Sequence, residues 1–248
     1  METNKIRLSD AHTHFINEED LNLRIQNQIV SLFSNANPQE MDKLLAKNLS
    51  DNIILTCGIH PWSADVIKFE EMEKYLQSVS VVGEIGMDSV WCDVDLKIQE
   101  AVFRRQLDYA AKNHKAVILH TKGQEKEIAK IIKEYPNKYL IHWYSCDEHL
   151  EDYIEMDCYF SIGPDVFWNE ATKNVAKSVP LGRILSETDG LNAVKWAYEE
   201  APFKKQSPKT SEEALNNVVS EIAKLRGLTK EECYKICYEN LVHGFLNK

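Results

Sequence analysis

Six residues able to bind a metal stand where short apolar runs end. They are His12 and His14 after IRLSDA, Glu84 in VSVVGEIG, His120 in AVILHT, His142 in YLIHWY and Asp189 at the end of RILSETD. Imidazole nitrogens and carboxylate oxygens are good donors for borderline divalent cations. Each residue alone has an ordinary structural reading. A histidine at a strand end is often simply hydrogen-bonded in place, and an acid after a strand often caps the next helix. Together, six polar or charged groups at the ends of apolar strands would be expensive to bury without a shared cation. Four imidazoles and two carboxylates also exceed what one tetrahedral ion needs, which implies two metals bridged by a carboxylate.

The elements that must position these groups follow from the hydrophobic period. Eight short apolar runs, at 6–12, 25–33, 53–59, 79–86, 116–121, 139–144, 158–163 and 183–189, alternate with longer helical patterns such as 38–49, 96–114 and 123–135. This alternation is the pattern of a parallel α/β fold. Residues 210–246 read as two more helices separated by Gly227, with Thr229 as an N-cap. An open doubly wound sheet would have the same element order, but no G-x-G-x-x-G or G-x₄-G-K-[ST] follows any run. A closed (β/α)₈ TIM barrel is therefore expected, with residues 1–248 as one domain. On that fold the strand C-termini share one face, so donors from five strands meet there. His12 and His14 lie two apart, and alternate strand positions point the same way.

Composition narrows the function. With 29 Lys plus Arg against 39 Asp plus Glu, the formal charge is −10, which disfavours tight non-specific binding of polyanions. No stretch reaches the roughly 18 apolar residues of a membrane span, and the first residues lack an apolar signal core, so a cytoplasmic protein is expected. The six cysteines lack C-x₂-C spacing and read as reduced thiols. No obligate protein partner is evident.

The ordered set H-T-H at 12–14, G-I-H-P at 58–61, G-E-I-G-M-D at 83–88, His120, H-W-Y-S at 142–145, E-T-D at 187–189 and N-L-x-x-x-F at 240–245 resembles the TatD family of metal-dependent hydrolases. That resemblance implies an amidohydrolase-like TIM barrel in a family whose members include deoxyribonucleases. It further implies that His12, His14, Glu84 and Asp189 hold one ion, that Glu84, His120 and His142 hold the second, and that His60 sits near the substrate phosphate. Without the resemblance, His60 reads equally well as a turn residue before Pro61. Asp88 reads as a group that orients a neighbour or as a helix cap. His114, His149 and His243 fall in helical patterns and read as packing or surface residues.

Four stretches depart from the family pattern: Trp62 where a second histidine is common, Ser89 in place of an aromatic, G-L-N-A at 190–193 and SPKTSEEALNN at 207–217. All four are expected around the substrate pocket. The linker-like stretch at 199–210 is expected as a loop at the barrel mouth. Trp91, Trp143, Tyr144, Phe167, Trp168 and Trp196 fall near strand ends or loops and could form an aromatic wall, although core packing is the commoner role of such residues.

The chemistry expected is two-metal hydrolysis, with Glu84 and Asp189 as catalytic carboxylates and Asp189 taking or orienting the proton of the nucleophilic water. The donor set suits Zn²⁺ or Mn²⁺, with Mg²⁺ plausible in an assay. A phosphodiester, in DNA or a smaller nucleotide, is the first substrate expected. A carboxylic ester, lactone or amide is the second. A catalytically silent metal-binding scaffold is the third, and the complete ligand set argues against it.

Overall fold

The computed structural model describes residues 7–248; Ile6, where the first strand was expected to begin, lies outside them. Eight strands form a single parallel sheet in chain order: β1 (Ser9–Thr13), β2 (Val30–Asn35), β3 (Ile53–Cys57), β4 (Val81–Gly86), β5 (Ala116–His120), β6 (Tyr139–Ile141), β7 (Tyr159–Ile162) and β8 (Ile184–Ser186). Helices α1 (Glu18–Gln26), α2 (Pro38–Leu45), α3 (Phe69–Ser78), α4 (Leu96–Lys112), α5 (Glu125–Ile132), α6 (Leu150–Glu155), α7 (Glu170–Ser178) and α8 (Leu191–Glu199) alternate with the strands. Helices α9 (Ser211–Arg226) and α10 (Lys230–Glu239) follow, and the chain continues as a π-helical turn over Asn240–Phe245. The expected (β/α)₈ TIM barrel is the fold observed.

Several boundaries differ from the sequence reading for local reasons. The run at 25–33 is not all strand. Asn17 caps α1 by accepting from the Asp20 N–H at 2.9 Å, and acids fill the first turn. Ile25 thus ends in a helix, and the strand starts only at Val30 after Gln28 turns at φ 55°. His114 and His149 are not helical either; both sit in turns with positive φ beside helix ends. The reading at the C-terminal end holds: Gly227 stops α9 in the left-handed conformation, and Thr229 with Glu232 forms a capping box on α10.

One apolar residue from each strand fills the barrel: Ala11, Leu32, Ile54, Val81, Ile118, Leu140, Tyr159 and Leu185. Leu241 and Phe245 pack against this layer. The Asn240 side chain fastens the π-helical turn by donating to the Leu181 and Ile184 carbonyls at 2.7 and 2.9 Å.

Polar contacts close the seam between β8 and β1. Ser186 Oγ donates to the Ser9 carbonyl at 2.9 Å, and the Asp189 N–H donates to the His12 carbonyl at 3.0 Å. Asp10 accepts from the Thr188 N–H at 2.9 Å and from its hydroxyl at 2.6 Å. Arg24, fully buried, reaches the same seam from α1. It donates to Asp10 at 2.7 Å, Asp20 at 2.8 Å, Ser31 at 3.0 Å, Thr13 at 3.1 Å, Ser211 at 2.8 Å and Thr188 at 3.3 Å. Burial works against the charged guanidinium, but Asp10 and Asp20 outweigh it and raise its pKa further. Removing one partner of a buried pair costs about 3–5 kcal/mol because the other charge is left alone. Arg24→Met is therefore expected to lower the thermal midpoint by roughly 10 °C. A variant that unfolds with the wild type would show that Arg24 does not hold the seam.

Candidate metal centre

The strand ends bring the six predicted donors together. His12 lies in β1 and His14 just after it, with irregular pairing to β2 between Asp10 and Thr13. Their Nε2 atoms come within 3.3 Å of each other. Glu84 lies in β4 and His120 ends β5. Gly86 lets these strands meet: it has φ 154°, and a Cβ there would stand 1.9 Å from the His120 carbonyl oxygen. His142 directly follows β6 and does not lie within it. Asp189 lies three residues beyond β8 at φ 56°, a left-handed conformation that aspartate tolerates better than most residues.

Glu84 stands at the centre. Its Oε2 faces His12 Nε2 at 3.3 Å and His14 Nε2 at 3.6 Å. Its Oε1 faces His120 Nδ1 and His142 Nε2, both at 2.8 Å, and His60 Nε2 at 3.4 Å. Asp189 Oδ1 lies 3.3 Å from both His12 and His14. Three sets have mutually close donor atoms: His12, His14 and Glu84; His12, His142 and Asp189; His60, Glu84 and His120. His60, expected beside the substrate, thus also stands within reach of the donor cluster.

The electrostatics favour added positive charge. Burial acts to raise the Glu84 pKa, yet His142, His60 and His12 override it and hold the carboxyl well below its usual range. Burial likewise opposes ionised Asp189, but hydrogen bonds from His12 and His14 keep its pKa low. Desolvation would lower the His14 pKa, and its bonds to Asp189 and Glu84 instead carry it to about 10. His12, His120 and His142 are shifted upward as well, against their own burial. The carboxylates draw protons onto imidazoles whose ring nitrogens crowd one another. A divalent cation would satisfy both kinds of donor at once, so the residues fit a metal.

Further carboxylates hold the histidines in place. Asp88 accepts from His120 Nε2 at 3.0 Å, from Trp62 Nε1 at 2.7 Å and from the Val90 and Trp91 amides at 2.8 and 2.9 Å. This leaves His120 Nδ1 for the cluster. Glu187, wholly buried, faces His142 Nδ1 at 3.6 Å and accepts from Ser161 Oγ at 2.6 Å. His142 Nδ1 and Glu187 Oε1 both lack a hydrogen-bond partner among the described residues. Such outer carboxylates fix the ring and raise ligand basicity. The sequence reading gave no role to Glu187, although its place two residues before Asp189 is a usable signal. It also gave none to Asp10 or Arg24, whose importance lies in burial.

The cluster opens into a cavity of about 740 Å³ whose wall includes Trp62, Trp91, Trp143 and Trp196. Of the expected aromatic wall, Tyr144 is instead in the core against Tyr153 and Phe160, Phe167 packs on Tyr198, and Trp168 donates to the Ala197 carbonyl. Of the four departing stretches, Trp62, Asn192 and Ala193 line the cavity, and Ser89 bonds to the Gly123 carbonyl. The stretch at 207–217 does not line it; it begins α9, and Ser211 accepts from Arg24. The loop at 199–210 is likewise absent from the cavity wall, and Lys205 in it covers Phe167.

Comparison with known proteins agrees with this geometry. A family model described as TatD related DNase matches residues 9–245. An uncharacterized metal-dependent hydrolase of Methanocaldococcus jannaschii is 27% identical, with 97% of each chain covered. Another from Bacillus subtilis is 29% identical over 77% of this chain and 76% of its own. The crystal structure of a TatD homologue from Escherichia coli superposes with a TM-score of 0.82 at 22% identity, covering 98% of this chain and 99% of that one. None of the helices among the described residues is long and apolar enough to cross a membrane.

Metal ligands must shed protons, and these imidazoles have raised pKa values. Adding Zn²⁺ or Mn²⁺ to chelator-treated protein near pH 7.5 should therefore release roughly one or more protons per ion. Calorimetry in buffers of different ionisation enthalpy measures this. Proton-neutral binding would mean that the imidazoles are already unprotonated.

Proposed function

The chain belongs to the TatD-related DNase family of metal-dependent hydrolases, and on that footing we propose that it cleaves phosphodiester bonds at a centre of two divalent ions. The observation that carries this reading is the placement of Glu84, whose two oxygens face separate imidazole sets, as a bridging carboxylate would. His12, His14, Glu84 and Asp189 would hold one ion, and Glu84, His120 and His142 the other, with His60 near the substrate phosphate. Zn²⁺ or Mn²⁺ suits the mixed donors, with Mg²⁺ usable in an assay. When bound, such ions lower the pKa of water and stabilise charge on the transferring phosphoryl group.

The protein's own part is positioning and proton transfer. Asp189 is held ionised by His12 and His14, so it can accept the proton of the attacking water. Asp88 and Glu187 keep His120 and His142 in orientation. The chain would act as one domain, in the cytoplasm, where its six thiols stay free. Acyl hydrolysis is a second reading, favoured by charge alone: Glu40 and Glu125 stand on the cavity wall and the chain carries a formal charge of −10.

Protein purified without chelator should carry about one to two divalent ions per chain, and chelation should abolish activity. Absence of any site of micromolar affinity in a reconstitution titration would end this proposal. Asp189→Asn should keep its thermal midpoint and bound metal yet lose on the order of 10²–10⁴ in rate. Near-normal turnover in that variant, on whichever of a phosphodiester, a lactone or an oligonucleotide the wild type cleaves, would remove Asp189 as the proton acceptor.

A further inference from the structure

Three tryptophans form a continuous ladder on the cavity wall. The Trp91 and Trp196 rings meet edge to face with centroids 5.9 Å apart, and Trp196 meets Trp143 in the same way at 6.0 Å. Trp91 is 53% and Trp196 42% exposed, so two large apolar rings face solvent where burial would be favourable.

The inner rung is built to stay still. Trp143 has φ 40°, and its ring lies so close to Gly163 that a Cβ there would come within 2.5 Å of three ring atoms. Its Nε1 donates to Asp165 at 2.8 Å. Asp165 is buried and in turn accepts from Asn169 at 2.7 Å and Thr172 at 3.1 Å. Left-handed backbone at a non-glycine residue persists where its surroundings determine it, and such positions concentrate at functional sites. The outer rung carries a charge: Lys122 Nζ lies 4.8 Å over the Trp91 ring and 3.3 Å from Ser145 Oγ. Among the described residues lining the cavity, Lys122 is the only lysine or arginine, whereas Glu40 and Glu125 also face it.

We propose that Trp143, Trp196 and Trp91 with Lys122 form a subsite for one flat aromatic group of a small, singly charged phosphodiester, and that the cavity selects against polymeric nucleic acid. This rests on the phosphodiester reading above. Indole faces stack on any π system, and Trp143, already held in place, loses little entropy when a ligand binds. With the phosphate to be cleaved at the metal centre, Lys122 is left as one cation on the cavity wall, whereas a strand requires several along its path. Glu40 and Glu125 would repel the further phosphates of a longer chain. A cavity of about 740 Å³ is the size that encloses a small ligand. The aromatic group can be a nucleobase or an aryl substituent, since both present the same face.

The test measures kcat and KM of the metal-loaded protein on four probes: dithymidine monophosphate, the same dinucleotide with both bases removed, bis(4-nitrophenyl) phosphate and a 20-residue oligothymidylate. The wild type should prefer dithymidine monophosphate over its base-free form, and that preference should fall about 10- to 100-fold in Trp196→Ala, mostly through KM. Trp196→Phe should restore most of it. Lys122→Met should raise KM for all three small diesters. A larger rise in KM on Trp196→Ala for bis(4-nitrophenyl) phosphate than for the dinucleotide would assign the subsite to aryl groups, and the reverse to nucleobases. If the oligothymidylate is cleaved with a higher kcat/KM per chain than the dinucleotide, selection for small substrates is wrong. If Trp196→Ala cleaves diesters with unchanged base preference, the subsite is wrong while the phosphodiester reading stands. If the wild type cleaves no diester yet thymidine monophosphate quenches its tryptophan fluorescence, and does so less in Trp196→Phe, the phosphodiester reading fails and the stacking subsite stands.

Discussion

The ion pair between Arg24 and Asp10 is the contact on which the active face depends. Asp10 lies in β1 two residues before His12, and it takes two hydrogen bonds from Thr188, the residue before Asp189. One buried carboxylate therefore sets the distance between the first and last donors of the cluster. Arg24 fixes that carboxylate and ties it to β2 through Ser31 and to α9 through Ser211. Buried ion pairs often gain little stability over well-packed apolar groups, because desolvation offsets the attraction. Their directional hydrogen bonds are what an apolar cluster cannot supply. At this seam, direction matters more than net stability, since β8 and β1 meet through side-chain and loop contacts that would otherwise tolerate slippage.

The same logic extends inward. Once β1 and β8 are fixed, His12, His14 and Asp189 converge, and Gly86 brings β4 against β5 so that Glu84 meets His120. The cluster then holds two carboxylates among five imidazoles with little water-accessible surface. It remains stable only with positive charge, supplied by protons or by metal. Asp88 and Glu187 sharpen the choice. Asp88 accepts from His120 Nε2 and Glu187 stands 3.6 Å from His142 Nδ1, while the opposite nitrogen of each ring faces Glu84. The protein thus determines which nitrogen faces the centre before any ion arrives.

How much of this could be read from the sequence follows from the same physics. Six of the side chains that meet in the cluster stood out in the sequence, because a histidine or an acid at the end of an apolar run is conspicuous against its neighbours; His60 was read beside the substrate instead. The barrel was legible from the repeated alternation of runs and helical patterns. Helix α1 was not, since Ile25 and Ile29 extend an apolar run across a helix end and only the C-cap at Asn27 and the turn at Gln28 divide it. Arg24 was also hidden. An arginine four residues after an aspartate reads as a surface pair on a helix, and only tertiary packing buries it. The stretch at 207–217 misled for another reason: its departure from the family pattern suggested a place around the pocket, but Ser211 faces Arg24.

The division between strands and loops explains why the centre and the cavity wall differ in predictability. Most of the donors sit on or directly after β-strands whose backbone is held on both sides, so their positions vary little with local sequence. The tryptophans sit on connections: Trp62 in a turn after β3, Trp91 before α4, Trp143 after β6 and Trp196 on α8. Such segments can change without disturbing the barrel. Trp62 shows how the two layers communicate. It stands in the wall 51% exposed, yet its Nε1 bonds to Asp88, which also accepts from His120. A wall residue is thus one hydrogen-bonded partner away from a side chain of the cluster. Changes at position 62 would reach the centre as well as the cavity wall, whereas side-chain changes at Trp91, which bonds to Asp88 through its backbone amide alone, or at Trp196 would alter the wall alone.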